Sequence, residues 1–169
     1  MDFIRSVYDT DEKAAQKIKE NQAKWDKRYL AMAEFVSTWS KDPSTKCGAV
    51  LVRPDKTVIS LGYNGFAAEV DDSKERYENR DIKYEMVIHC EINALIAAHG
   101  SVEGSTLYTY PFQSCSRCAA VMIQAGIKRH VAPKASEDVL SRWKDSIALC
   151  NAQMSEAGVE VVLYDMELV

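Results

Sequence analysis

Apolar residues along the first quarter of the chain recur with a helical step. Trp25, Tyr29, Met32, Val36 and Trp39 lie four, three, four and three residues apart, which predicts one apolar face of an amphipathic helix. Upstream, Asp9 and Thr10 are suited to capping a helix, and Ala14, Ile18 and Ala23 are interspersed with charges, so residues 1–22 read as a helical extension. The helix is expected to stop before Lys41-Asp42-Pro43, because a residue preceding proline avoids the α region. The pattern then changes. CGAVLV (47–52) and TVISLGY (57–63), joined by Pro54-Asp55-Lys56, predict a β-hairpin, and Asn64-Gly65 closes the second strand as a turn. From residue 85 onward helical and strand patterns alternate. MVIHCEINALIAAHG predicts a helix of about ten residues ending at Gly100, STLYTY (105–110) a strand, and CSRCAAVMIQAG (115–126) a helix. IKRHVA (127–132) comes next as a strand, residues 136–158 as a capped helix and VEVVLY (159–164) as a final strand. Strands alternating with helices imply crossovers and a largely parallel sheet, to which the hairpin adds an antiparallel strand at one edge. The expected fold is α/β, a three-layer α/β/α domain around a five-stranded mixed sheet.

One segment breaks the alternation. Ten of the fifteen residues 69–83 are charged, which fits a solvated loop or short surface helix, or a lid over a binding site.

Length and composition narrow the function. A chain of 169 residues suits a single domain, 1–169, on a prior of roughly 100–200 residues per domain. The net charge is −4, which argues against a surface that grips nucleic acid by its phosphates while leaving room for a small phosphate-bearing ligand. No stretch approaches the roughly 18 uncharged residues of a membrane span, so no membrane partner is expected. The opening MDFIRSVYDTDEK lacks the apolar segment of a secretory leader. The five cysteines therefore read as thiols in a reducing, cytoplasmic setting, where clustered thiols serve metals or catalysis.

Three of the potential ligands have the spacing of a metal site. Cys115 and Cys118 form a C-x-x-C pair, and His89 lies 26 residues upstream of the first. Both pieces fall where a helix begins, and a helix N-terminus favours thiolate. Two thiolates and a neutral imidazole balance Zn²⁺ and leave its fourth position open for water, the pattern of a catalytic rather than a structural site. Glu91, two residues after the histidine, can reach that water as the general acid–base without binding the metal. Each residue also has a plain structural reading, as a buried thiol, a core histidine or a helix-start carboxylate. A thioredoxin-like pair would need neither His89 nor Glu91. Cys47, Cys90, Cys150, His99 and His130 show no ligand spacing, so one zinc per subunit is expected.

The order H-x-E followed by C-x-x-C is similar to the signature of the zinc deaminases. Residues 25–52, ISLGYNG (59–65), RDIKYEMVIHCEINALI (80–96) and CSRCAAVMIQAGIKRHV (115–131) extend this to a resemblance with the deoxycytidylate (dCMP) deaminases of the cytidine/deoxycytidylate zinc deaminase family. The resemblance implies hydrolysis of dCMP to dUMP, the precursor for thymidylate synthesis. In it Asn64 would bond the sugar hydroxyl or the base, though it is equally a good turn residue. Lys46, with Ser44, is the candidate for the substrate phosphate, and Tyr110 for the base; a surface lysine and a half-buried aromatic are the alternatives. It also implies a homo-oligomer, a hexamer by preference, activated by dCTP and inhibited by dTTP. Mg²⁺ would accompany the triphosphate near Gly65, Glu69, Asp71 and Asp72. Other nucleoside or tRNA deaminases, or a non-catalytic nucleotide-binding regulator on the same scaffold, are the rival readings. One departure stands out: the signature has proline directly before the first cysteine, and here Ser114 takes that place.

Overall fold

The computed structural model describes the backbone of residues 2–165 and the side chains of residues 11–165. Helix α1 (Asp2–Ser37) leads into the hairpin β1 (Gly48–Val52) and β2 (Val58–Tyr63). Two short helices come next, α2 (Lys74–Glu78) and α3 (Arg80–Met86), and then α4 (Cys90–Ala97). The remainder is β3 (Thr106–Tyr110), α5 (Ser116–Gln124), β4 (Arg129–Pro133), α6 (Glu137–Glu156) and β5 (Glu160–Tyr164). The strands form one sheet in the order β2-β1-β3-β4-β5. The expected mixed five-stranded sheet is present, with more antiparallel character than the pattern implied: β1 runs antiparallel to both β2 and β3, and only β3, β4 and β5 are mutually parallel.

Period-two alternation separates two cores. Val50, Val52, Tyr108 and Val131 face α1, where they meet Tyr29, Leu30 and Ala33. Ala49, Leu51 and Leu107 face the other way, against Cys90, Ala94, Met122 and Met154 of α4, α5 and α6. The result is a three-layer arrangement with α1 alone on one side.

Several expectations are corrected. The helix does not start after Asp9 and Thr10, because the backbone is already helical from Asp2; the side chains of those two residues lie outside the described ones. Of the anticipated apolar face, Tyr29 and Val36 are buried and Trp25 half-buried, whereas Met32 and Trp39 are exposed. The packed stripe, Asp26, Tyr29, Leu30, Ala33, Val36 and Ser37, begins at a buried carboxylate that hydropathy could not select. Asp26 accepts from Arg129 in bidentate fashion (2.8 and 2.7 Å) and from the hydroxyls of Tyr108 and Tyr164 (both 2.9 Å), tying α1 to three strands. The charged stretch 69–83 is neither wholly loop nor wholly solvated, since it holds α2 and most of α3 and buries Tyr77 and Lys83. The helix expected to end at Gly100 runs from Cys90 to Ala97, and a break at Val87–His89 separates it from α3. Ile88 leaves the helical path to exchange both backbone hydrogen bonds with Gly65 (3.1 and 2.8 Å), and His89 becomes the N-cap of α4.

Candidate active site

His89, Cys115 and Cys118 meet where α4 and α5 begin. His89 caps α4 and Cys115 caps α5, and Cys118 lies one turn later. Their ligand atoms all lie within 4.8 Å of one another, the one such group of three among the described residues. Both sulfurs approach His89 Nδ1, at 3.5 and 3.3 Å. The Gly65–Ile88 backbone pair fixes the residue before His89, so the turn after β2 and His89 are mechanically one piece.

The electrostatics suit a cation. Hydrogen bonding from the Cys118 thiol, helped by His89, pulls the Cys115 thiol down to about 4, against the effect of its burial. The bond to Cys115 in turn lifts His89 to about 9, with the Glu91 carboxylate adding to the lift, while its burial opposes it. Cys118 is pushed far up by its bond to Cys115 and by its burial. The trio thus shares protons that a divalent metal displaces on binding. Two sulfurs and one imidazole nitrogen are a donor set that zinc favours, and three ligands leave it a position for water.

Glu91, in the first turn of α4, is only 5% exposed. The Cys90 thiol donates to its Oε2 at 3.2 Å. With His89 and Cys115 it lines a cavity of about 470 Å³, within the range of small-molecule sites.

The wall of that cavity sorts the remaining candidates. Asn64 lines it and is buried, with its amide engaged in holding the loop after α1: Oδ1 accepts from the Cys47 amide (2.8 Å) and Nδ2 donates to the Thr45 carbonyl (3.0 Å). Ser44 lines the wall, and its Oγ accepts from Lys83 Nζ (3.0 Å). Tyr110 lines it at the end of β3. Lys46 is exposed and stands outside the wall; the cations on the wall are Arg80, Lys83 and Arg142. Gly65 is buried behind the wall. Glu69, Asp71 and Asp72 are exposed and away from it, Asp71 against Arg76 and Asp72 paired with Lys41 (2.7 Å).

Sequence reasoning gave no role to several wall residues, Asp42, Arg80, Lys83, Tyr84, Arg142 and Trp143 among them. Lys83 is buried, donating to Asp42 (3.2 Å), a carboxylate that also accepts from the Ser44 amide (2.8 Å). Lys83 belongs to the R-x-x-K-Y run, so the signal was present without a role attached. Arg142 and Trp143 come from α6, where Trp143 meets Tyr84 edge-on (centroids 6.2 Å), and nothing local marks them.

Comparison with known proteins agrees with this geometry. The model of the cytidine and deoxycytidylate deaminase zinc-binding region matches residues 23–133. An uncharacterized deaminase from the luxG 3′ region of Aliivibrio fischeri is 41% identical over 146 residues, 86% of this chain and 97% of that protein. Human deoxycytidylate deaminase is 33% identical over 118 residues, 66% of each chain. The solved dCMP deaminase of cyanophage S-TIM5, in complex with dCMP and dUMP, superposes with a TM-score of 0.64 at 25% identity, covering 82% of this chain and 95% of that one. Fold, His/Cys/Cys group and a family match over most of the length agree: the chain belongs to the cytidine and deoxycytidylate deaminase family of zinc-binding enzymes.

Proposed function

We propose that this protein is a zinc-dependent dCMP deaminase, converting dCMP and water to dUMP and ammonia. The observation that carries the reading is the buried Glu91 carboxylate two residues after His89, lining the same cavity as His89 and Cys115 of the His/Cys/Cys group. His89, Cys115 and Cys118 would hold the metal. Zinc supplies a water acidic enough to lose a proton near neutral pH. Glu91 would accept a proton from the attacking water and serve the transfer of the water's two protons, one to the ring nitrogen N3 and one to the exocyclic amine, so that the ring carbon gains oxygen, its bond to the amine breaks and nitrogen leaves as ammonia. A buried carboxylate is suited to the task because its proton has no competing water acceptor.

The 5′-phosphate requires cations, and Arg80 and Arg142 are better placed for it than Lys46, since both line the cavity. Lys83 is already committed to Asp42 and Ser44 and would act by stiffening the 42–45 loop. These wall cations favour a nucleotide over a free nucleoside. Asn64 would serve the sugar or base through the loop it holds, and Tyr110 would flank the base.

The reading includes one zinc and a single domain over 1–169, with cytoplasmic work supplying dUMP to thymidylate synthesis. It also includes a homo-oligomer, a hexamer by preference, activated by dCTP and inhibited by dTTP with Mg²⁺, near Gly65, Glu69, Asp71 and Asp72. Support for this regulatory part is the resemblance in the GYNG turn. Among the described residues no helix is long and apolar enough to cross a membrane.

The test is ammonia release from dCMP, deoxycytidine, dCTP and tRNA, each with and without dCTP and dTTP, for wild type and Glu91→Gln. The expected result is turnover of dCMP that vanishes in the variant. Preference for deoxycytidine or tRNA would overturn the substrate assignment, and unaltered kinetics at millimolar dTTP the regulatory one.

A further inference from the structure

A histidine that the proposed chemistry does not use supports the segment leading into Cys115. His130 is in β4, fully buried, with Leu107 of β3 as its register partner. Its Nδ1 lies 3.2 Å from the Leu107 carbonyl oxygen, and its Nε2 lies 3.2 Å from the Ser114 backbone nitrogen. A carbonyl can only accept and an amide N–H can only donate. The two contacts therefore require one tautomer: Nδ1–H donates to Leu107 and bare Nε2 accepts from Ser114. An imidazolium would turn a second N–H against the Ser114 N–H.

The segment has two other ties. Thr109 Oγ1 donates to the Phe112 carbonyl (3.0 Å), and Gln113 Nε2 donates to Asn151 Oδ1 (3.0 Å). Neither reaches Ser114, which is 1% exposed. Its amide is shielded from water, and a buried N–H without an acceptor forces the backbone to move until one is found. The family signature avoids this demand by placing proline before the first cysteine, because proline has no N–H. This chain places serine there, and so brings a donor into the dry wall of the site.

We propose that Ser114 and His130 form one positioning unit. By accepting the Ser114 amide hydrogen, His130 holds the residue before Cys115, and so sets the angle at which the Cys115 thiolate closes on His89 and Cys118. His130 touches neither substrate nor metal and acts only through Ser114. The inference rests on reading the His/Cys/Cys group as a metal centre, and is independent of which nucleotide is deaminated.

A double-mutant cycle on the full zinc-loaded chain tests it. His130→Phe keeps a ring of similar bulk and removes the acceptor; Ser114→Pro removes the donor that needs it. Steady-state kinetics on dCMP and the absorption bands of the cobalt-substituted proteins are read for wild type, both singles and the double. The expected result is a fall in kcat of about tenfold or more in His130→Phe with a much smaller change in KM, and altered cobalt–thiolate bands. Adding Ser114→Pro should recover most of both. Losses that simply multiply in the double variant, or an unmoved spectrum and kcat in His130→Phe, would overturn the inference and leave the deaminase reading standing. A wild type that releases no ammonia from dCMP would sink that reading instead, while the four cobalt spectra still decide the positioning unit. Should His130→Phe not fold, nitrogen-15 shifts of the wild-type ring decide: a neutral ring protonated on Nδ1 is expected, and an Nε2–H tautomer or a charged ring at neutral pH refutes the arrangement.

Discussion

Gly62 is where the sheet and the helix bearing Glu91 touch without a side chain between them. A Cβ built on Gly62 would sit 2.3 Å from the Cys90 carbonyl oxygen and 2.4 Å from the Ala94 nitrogen, both backbone atoms of α4, where ordinary contact begins near 3.4 Å. In Gly62→Ala the helix and β2 must therefore separate by about 1 Å, a displacement that in an active site can cost about 100-fold in rate. Two hydrogen bonds resist that separation and must lengthen with it, Ser60 Oγ to the Ala94 carbonyl and Asn93 Nδ2 to the Tyr63 carbonyl, each 2.7 Å. Overpacking of this kind costs about 1–3 kcal/mol of stability. Its functional effect should be larger, because α4 begins at His89 and carries Glu91 in its first turn. Gly48→Ala is the matched control. Its Cβ would meet Ala33 O at 2.1 Å and Ser37 N at 2.5 Å, so it overpacks the opposite face of the sheet against α1, which holds no metal ligand. The assay is zinc affinity by competition with a chromophoric chelator, kcat on dCMP, and urea unfolding of both variants. Both should lose stability, and Gly62→Ala alone should lose zinc affinity and drop kcat by about 10- to 100-fold. Equal zinc loss in the two variants, or a Gly62→Ala protein with wild-type zinc affinity and kcat, would refute the argument that this close approach seats the site.

Three further outcomes are expected. Asp26→Ala should destabilise the fold by about 3 kcal/mol in urea titration, since it removes the bidentate partner of the largely buried Arg129 guanidinium and leaves it only the exposed Glu160 carboxylate. Burial alone would raise the Asp26 carboxyl, but its bonds to Arg129, Gln22 and Tyr108 hold it below its ordinary 3.8; its contribution is thus complete above that value and is lost as pH falls through the depressed folded one, so acid unfolding monitored below pH 4 should steepen in wild type relative to the variant. Arg142→Ala should raise KM for dCMP about tenfold or more, the value of a charge-assisted hydrogen bond, whereas Lys46→Ala should leave KM within about twofold; the opposite ranking in initial-rate kinetics would return the phosphate to Lys46. Chelation should abolish turnover and lower the melting temperature, with one zinc per chain restoring both; a requirement for two, by metal analysis, would contradict the single group of three ligands found among the described residues.

Much of this protein was legible along the chain because the relevant physics is local. Hydrophobic periodicity and turn residues placed the five strands and the two helices of the parallel half, since a strand's alternation and a helix's cap depend on residues within a few positions. The grouping of His89, Cys115 and Cys118 and the place of Glu91 in the first turn of α4 were equally legible, because ligand spacing and the start of a helix are short-range properties. Tertiary structure decided what depends on partners far apart in sequence. The buried face of α1 is set by Asp26, whose cost of burial is offset by Arg129, 103 residues away. Helices α3 and α4 are separated at Val87–His89 because Ile88 pairs with Gly65, a preference no local propensity carries. Lys83 is a wall residue and Lys46 an exposed one only because the loop after α1 folds back over α3 and brings Asp42 to one and not the other. Charge along the chain records how many cations there are; burial and the position of their counter-ions determine which of them face the site.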